Sequence, residues 1–300
     1  MASVEAKINS KSSSGVAVPR FNQFGVGNAL GAIGIHAILL TYSLIAMFPI
    51  VLTVINSFKK QGDIFGQPYT IPLGSMFSLL GYQTVFKRAE ALTYLQNSLI
   101  VTGGSVIVTL IFGSMAAFAI SEYKFRGNAL LALYMALGIM LPIRLGTVSI
   151  IRLSTALGLT GTLQGLICVY VAQNLPLAIF ILSQFLSEVP IDLKDAARID
   201  GASEYRIFGL VIPLIRQAMF SVTVFAMIPI WNDLWFPLIM APRDETKTIT
   251  LGIQTFTGQY GTNWPALLAA LTLAMLPVII IYIVFSRQLI KGLMSGAVKG

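Results

Sequence analysis

The chain has 300 residues, 56% of them hydrophobic and only 11% charged, with a mean hydropathy of +0.80. A soluble domain of this size cannot hide that much apolar surface, so composition points to an all-α integral membrane protein. The net charge of +8 does not signal nucleic acid, because the bases are scattered at the ends of apolar runs, as membrane anchors are. The lone Cys168 excludes a disulfide framework. No GxxxxGK[ST] loop is present, so any ATP hydrolysis belongs to another chain.

Residues 1–28 are polar, basic and Ser-rich, and read as a flexible cytoplasmic tail. They are not expected to be a cleaved signal, because the apolar run behind them is too long for a signal core. Residues 29–300 read as one domain of six spans. The first, residues 30–55, has no charge and exceeds the roughly 20 residues that cross a bilayer. His36 inside it suits a hydrogen bond to a neighbouring helix. Residues 57–95, punctuated by Gly and Pro, read as a connecting loop. Residues 97–120 form the second span, and Glu122, Lys124 and Arg126 a short polar turn. The third span, residues 129–151, is interrupted by Pro142 and Arg144, with a turn over 152–162. The fourth, residues 163–186, carries Gln173 and Asn174 before Pro176.

Residues 188–213 are the most polar stretch between two apolar ones, and are expected to face water. They read as two short helices around a turn. Pro190 suits a first helical position, with Asp192 at the positive helix end. Asp200-Gly201 stops that helix, because Gly readily takes the left-handed conformation. Ser203 is placed to cap the second, with Glu204 in its first turn. Ala196 and Ala197 leave one face low enough for another surface to approach, which makes a docking plug; the plainer reading is a solvated loop. The fifth span, residues 210–240, carries Arg216 early and Pro229, Trp231, Asn232 and Asp233 late. Residues 241–263 form an external loop rich in Thr and Gly, residues 265–285 the sixth span, and Arg287, Lys291 and Lys299 a basic end.

Two charges lie inside apolar runs, where ionisable groups are functional candidates. Asp233 falls near the outer interface, beside Trp231 and Asn232, a set that suits sugar hydroxyls and ring faces; an interfacial belt is the plain alternative. Arg144 lies deeper and must pair, face a water-filled path or snorkel. Tyr170 and Asn174 are further path candidates, although amides in spans also bond neighbouring helices.

Asp195-Ala196-Ala197, then Asp200-Gly201-Ala202, then Ile212-Pro213 resembles the EAA loop of ATP-binding-cassette importer permeases. Asp195 stands where Glu is usual, and Ile212 where Leu is usual. Asn97-Ser98-Leu99-Ile100, residues 123–127, Leu157-Gly158-Leu159, Trp231-Asn232 with Pro237-Leu238, and Gly292-Leu293 with residues 296–300 resemble carbohydrate-importer permeases of the maltose type, without a large periplasmic domain. The resemblance runs from about residue 30 to 300.

This resemblance implies a sugar permease of the bacterial inner membrane, not an enzyme, with both termini cytoplasmic. It implies a second permease, two ATPase subunits that hold ATP and Mg, and an external sugar-binding protein as partners. The ATPase would be met by Asp192, Asp195, Ala196, Ala197, Arg198, Asp200, Gly201, Ala202 and Glu204. In that orientation twelve of the 20 Lys and Arg residues lie inside, seven outside, and Arg144 within a span. Lys59 and Lys60 run against this bias. An ion-coupled secondary transporter using Asp233 and Arg144 is the alternative, although it does not need the charged double helix. An intramembrane enzyme lacks a nucleophile-base or metal set.

Overall fold

The computed structural model describes residues 26–88, 90–258 and 261–297, with side chains described only within 31–283. Of the expected tail, only Val26 to Asn28 falls in this range, and it is helical. The side chains of Arg287 and Lys291, and the whole of Lys299, lie outside it. Two units are distinguished, Met1–Val51 and Leu52–Gly300.

The first unit is described from α1 (Val26–Ser57), whose side chains are exposed from Gly31 to Pro49. Its polar groups turn to their own helix: His36 Nδ1 lies 2.7 Å from the Ala32 carbonyl, and Thr41 donates to Ala37. His36 therefore bonds within its helix, not across to a neighbour.

In the second unit, the expected loop at 57–95 is folded, containing α2 (Gln61–Gly66) and α3 (Leu80–Arg88). Lys59 explains part of this. It is fully buried and donates to Asn56 Oδ1 at 3.0 Å and to the Gln67 carbonyl at 2.8 Å. Burial lowers its pKa. Its ammonium thus satisfies oxygen acceptors inside the fold.

Next come α4 (Ala91–Glu122), α5 (Asn128–Met140) and α6 (Thr147–Ala156). The third apolar run is broken by 88° between Met140 and Ile143. Pro142 is the cause: it lacks an amide hydrogen and excludes helical geometry from the residue before it, and Leu141 is extended with ψ 120°. The turn expected from residue 152 begins only after Ala156. α7 (Leu163–Ser187) opens on Thr162, whose hydroxyl accepts from the Gly165 amide. Then follow α8 (Ile191–Ile199), α9 (Glu204–Val211), α10 (Arg216–Asn232) and α11 (Trp235–Met240). The fifth run thus ends at Asn232, not at residue 240. α12 (Ile249–Ile253), a minimal hairpin of β1 (Thr257–Gly258) and β2 (Gly261–Thr262), and α13 (Trp264–Ala297) complete the chain. Among the described residues, five helices are long and apolar enough to cross a membrane, or six if the bent pair is counted as one span.

α4 is the spine. Its small residues Ser105, Thr109, Gly113 and Ala117 recur every fourth position, so α7 packs closely along it. Three apolar clusters follow its length. Ala91 and Tyr94 join Trp231 and Ala270; Val101 and Val106 join Tyr170 and Phe236; Ala117 and Phe118 join Leu182, Ile207 and Val211.

The loop at 241–263 is not a free finger. Asn97 Nδ2 donates to the carbonyls of Glu245 and Lys247, both at 2.9 Å, and Ser98 Oγ accepts from the Ile249 amide. Gly252 lies so close to the Tyr94 ring that an added Cβ would sit 2.2 Å from it. Beyond this anchor, Thr257 and Gly258 of the hairpin are exposed.

Candidate functional site

Asp233 is the hub of one constellation. It ends α10 with an extended ψ of 134°, because its carboxylate caps the next helix: Oδ1 accepts from the Trp235 amide and Oδ2 from the Phe236 amide. The Tyr170 hydroxyl donates to Oδ2 at 2.9 Å, and Arg144 Nη2 lies 3.4 Å from Oδ1. The Asp233 side chain is 9% exposed against 67% for Arg144, so a nearly buried anion meets an open cation. The Arg144 guanidinium also lies over the Trp235 ring, 5.9 Å from its centroid. Thr147 fixes this arrangement, donating to the Arg144 carbonyl and accepting from Trp235 Nε1.

A small cavity of about 70 Å³ lies here, lined by Arg144, Tyr170, Gln173, Pro229, Asp233 and Phe236 among others. A water needs on the order of 10–15 Å³ by this measure, so it holds a few waters and no sugar ring. The structure thus brings Arg144, Tyr170 and Asp233 together. It turns Trp231 away: that ring is buried and its Nε1 donates to the Ala274 carbonyl on α13. Asn232 is exposed and bonds the Ile228 carbonyl of its own helix, and Asn174 is buried and bonds the Tyr170 carbonyl. Sequence reasoning named Trp231 and missed Trp235. The two are four apart and would share a face of one helix, but the helix ends between them.

The second constellation is the α8–α9 segment. It ends α8 with a left-handed Gly201, φ +76°. The Gly201 amide bonds the Arg198 carbonyl and the Ala202 amide the Ala197 carbonyl, the paired bonds of a Schellman stop. Pro190 lies one residue before α8 and not in its first position. Ser203 stands at the start of α9, but its side chain makes no capping bond; its carbonyl accepts from Arg206 and Ile207. Nor does the whole stretch face water, since Lys194, Ile207 and Val211 are buried. Of the two alanines, Ala197 packs inward and Ala196 is exposed. Asp192, Asp195 and Asp200 are exposed. At the tip Ile199 and Tyr205 stand 86% and 84% exposed. Sequence reasoning overlooked both, although large apolar side chains flanking Asp200-Gly201 were a visible signal.

Charges fasten this segment to the rest. Arg198 pairs with Glu204, Asp195 and Glu122, and Lys194 pairs with Glu122. Arg198 is held well above its ordinary pKa, by its bond to Glu204 first and to Glu122 next. The Tyr123 hydroxyl donates to Glu204 at 2.7 Å; burial, with this bond, pushes its pKa up to about 12. In the sequence Glu122 reads only as part of a polar turn, and Tyr123 only as part of the resemblance at residues 123–127. Their partners lie more than 70 residues along the chain.

Residues 109–294 match the family of binding-protein-dependent transport system inner membrane components. ORF2 of Caldicellulosiruptor sp. (strain Rt8B.4), described as an ABC transporter permease, is 38% identical over 87% of this chain and 95% of its own. The trehalose/maltose transport system permease MalG of Thermococcus litoralis is 31% identical over 86% of this chain and 93% of its own. Among solved structures, a bacterial ABC transporter that imports the acidic polysaccharide alginate superposes with a TM-score of 0.74, covering 89% of this chain and 99% of that one, at 20% identity. The last shows likeness of fold.

Proposed function

This chain belongs to the binding-protein-dependent transport system inner membrane components, and from that premise we propose that it is the permease subunit of an importer that carries a sugar into a bacterial cell. It is a membrane-spanning transport component and not an enzyme. On this reading the complex holds a second permease, two ATPase subunits that bind ATP and Mg, and an external sugar-binding protein. Both termini lie in the cytoplasm.

The observation that carries the proposal is the α8–Gly201–α9 knuckle. It presents Ile199 and Tyr205 almost fully to solvent, and Asp192, Asp195 and Asp200 of the same segment are exposed with them. Aromatic and aliphatic anchors within a polar rim are what a partner's cleft takes up. A chain with no phosphate loop of its own needs such a contact to draw on ATP. Asp195, Ala196, Arg198, Asp200, Gly201, Ala202 and Glu204 are assigned to this contact or to its shape.

Arg144, Tyr170 and Asp233 are assigned to the transport path, with Trp235 beside them in place of Trp231. Carbohydrate as cargo is supported by the trehalose/maltose relative and by the donor, acceptor and ring surfaces of this cluster. The cavity as it stands does not hold a sugar ring. The test is co-purification. The tagged chain, extracted in mild detergent, is expected to bring an ATP-binding-cassette ATPase and a second permease. Isolation of this chain alone, with uptake driven by an ion gradient, would overturn the proposal.

A further inference from the structure

Glu122 is the last residue of α4, and its side chain is 6% exposed. Each carboxylate oxygen takes a different cation of α8. Oε2 accepts from Lys194 Nζ and Oε1 from Arg198 Nη2 at 2.6 Å. The two cations are four residues apart, hence on one face of α8. Lys194 is itself 9% exposed, so this pair is enclosed. From Arg198 the chain of bonds continues to Glu204 at the start of α9, and Tyr123, the residue beside Glu122, donates its hydroxyl to Glu204.

We propose that Glu122 is a positioning residue of the transport cycle: it locks α8 to the end of α4, so that the ATPase-docking knuckle and the spine of the fold move as one body. This rests on the permease reading above. The physical reason lies in what a charge does that apolar packing does not. A buried ion pair adds little net stability over an apolar pair, but parting it leaves a buried charge without a partner. Apolar surfaces of α8 and α4 could slide past one another at small cost. A carboxylate held by two cations on one helix face cannot slip without exposing that penalty, so a push on α8 reaches α4. The Ala117–Phe118 level of α4 shares its core with α7, α9 and α10, which receive the motion.

The test uses the whole complex in proteoliposomes, with Cys168→Ser and a reporter, Gln173→Cys, in the cavity. The probes are ATP with Mg and vanadate, and a methanethiosulfonate reagent that labels the reporter. In the parent, vanadate trapping is expected to change the labelling rate at least about 5-fold, the usual lower range of coupling between sites. In Glu122→Gln the change is expected to vanish, while membrane abundance, co-purified ATPase and trapped nucleotide remain at parental levels. Glu122→Asp, which keeps the carboxylate that both cations bond, is expected to keep the response. An undiminished response in Glu122→Gln, or a response lost in Glu122→Asp, overturns the proposal. Should Glu122→Gln not reach the membrane, Lys194→Met, which removes one of the two cations, is measured in its place and is expected to reduce the response; an undiminished response there overturns the proposal. A parent complex without ATPase overturns the permease reading, and with it this inference; a coupled parent with an equally coupled Glu122→Gln overturns the inference only.

Discussion

Tyr170 on α7 donates its hydroxyl to Asp233, oxygen to oxygen 2.9 Å, where α10 ends. This bond joins two helices at the point where the fifth apolar run is broken, and it leaves the other Asp233 oxygen for Arg144. Tyr170→Phe removes one donor to a charged acceptor, worth about 1.5–3 kcal/mol. The variant is expected to insert normally, since its ring still packs on Phe236, and to lose most sugar uptake. Uptake at the parental rate would make the bond a helix fastener without a part in transport.

Arg144→Leu tests the other arm of the cluster. A charge at a span centre costs about 2.5–3.5 kcal/mol on insertion scales, so the substitution favours insertion while removing the partner of Asp233. Normal abundance with strongly reduced uptake is the expected outcome. Unimpaired uptake would assign Arg144 to anchoring, its guanidinium resting on Trp235.

Gly201 has open space around it; an added Cβ meets nothing within 4 Å. Its constraint is the backbone alone, at φ +76°. A β-branched residue there costs on the order of 1–3 kcal/mol of local strain. Gly201→Val is expected to reach the membrane in normal amount yet lose its ATPase or hydrolyse ATP without responding to the binding protein. Normal ATPase retention and normal stimulation together would remove the knuckle from the coupling route.

Asn97 holds two carbonyls of the 243–249 stretch with one amide. Asn97→Ala leaves both without that donor, at about 1–3 kcal/mol. Loosening of the β1–β2 hairpin is expected to weaken stimulation of ATP hydrolysis by the binding protein and to spare the basal rate. Measuring both rates on one preparation checks this; unchanged stimulation would reduce the hairpin to a connector.

Orientation is tested by labelling in a Cys168-free background. Thr257→Cys is expected to react with an impermeant reagent from outside, and Ser203→Cys only once the membrane is opened. Labelling of Ser203→Cys in intact cells would contradict the proposed topology.

The class, the apolar runs and the stop at Gly201 are legible in the chain before it folds. Each of these rests on local physics: a run of uncharged residues long enough for a bilayer, or a residue type suited to a left-handed turn. The sequence also marked Arg144 and Asp233, because charge within an apolar run is visible without coordinates. That these two meet Tyr170, that Trp235 and not Trp231 faces them, and that Glu122 fastens α8 depends on the folded contacts. The reason is separation along the chain: Arg144 and Asp233 are 89 residues apart, and Glu122 and Arg198 are 76. Helical periodicity carries a side chain's direction only while the helix continues, and it was the break at Asp233, made by the folded cluster itself, that reset the faces beyond it.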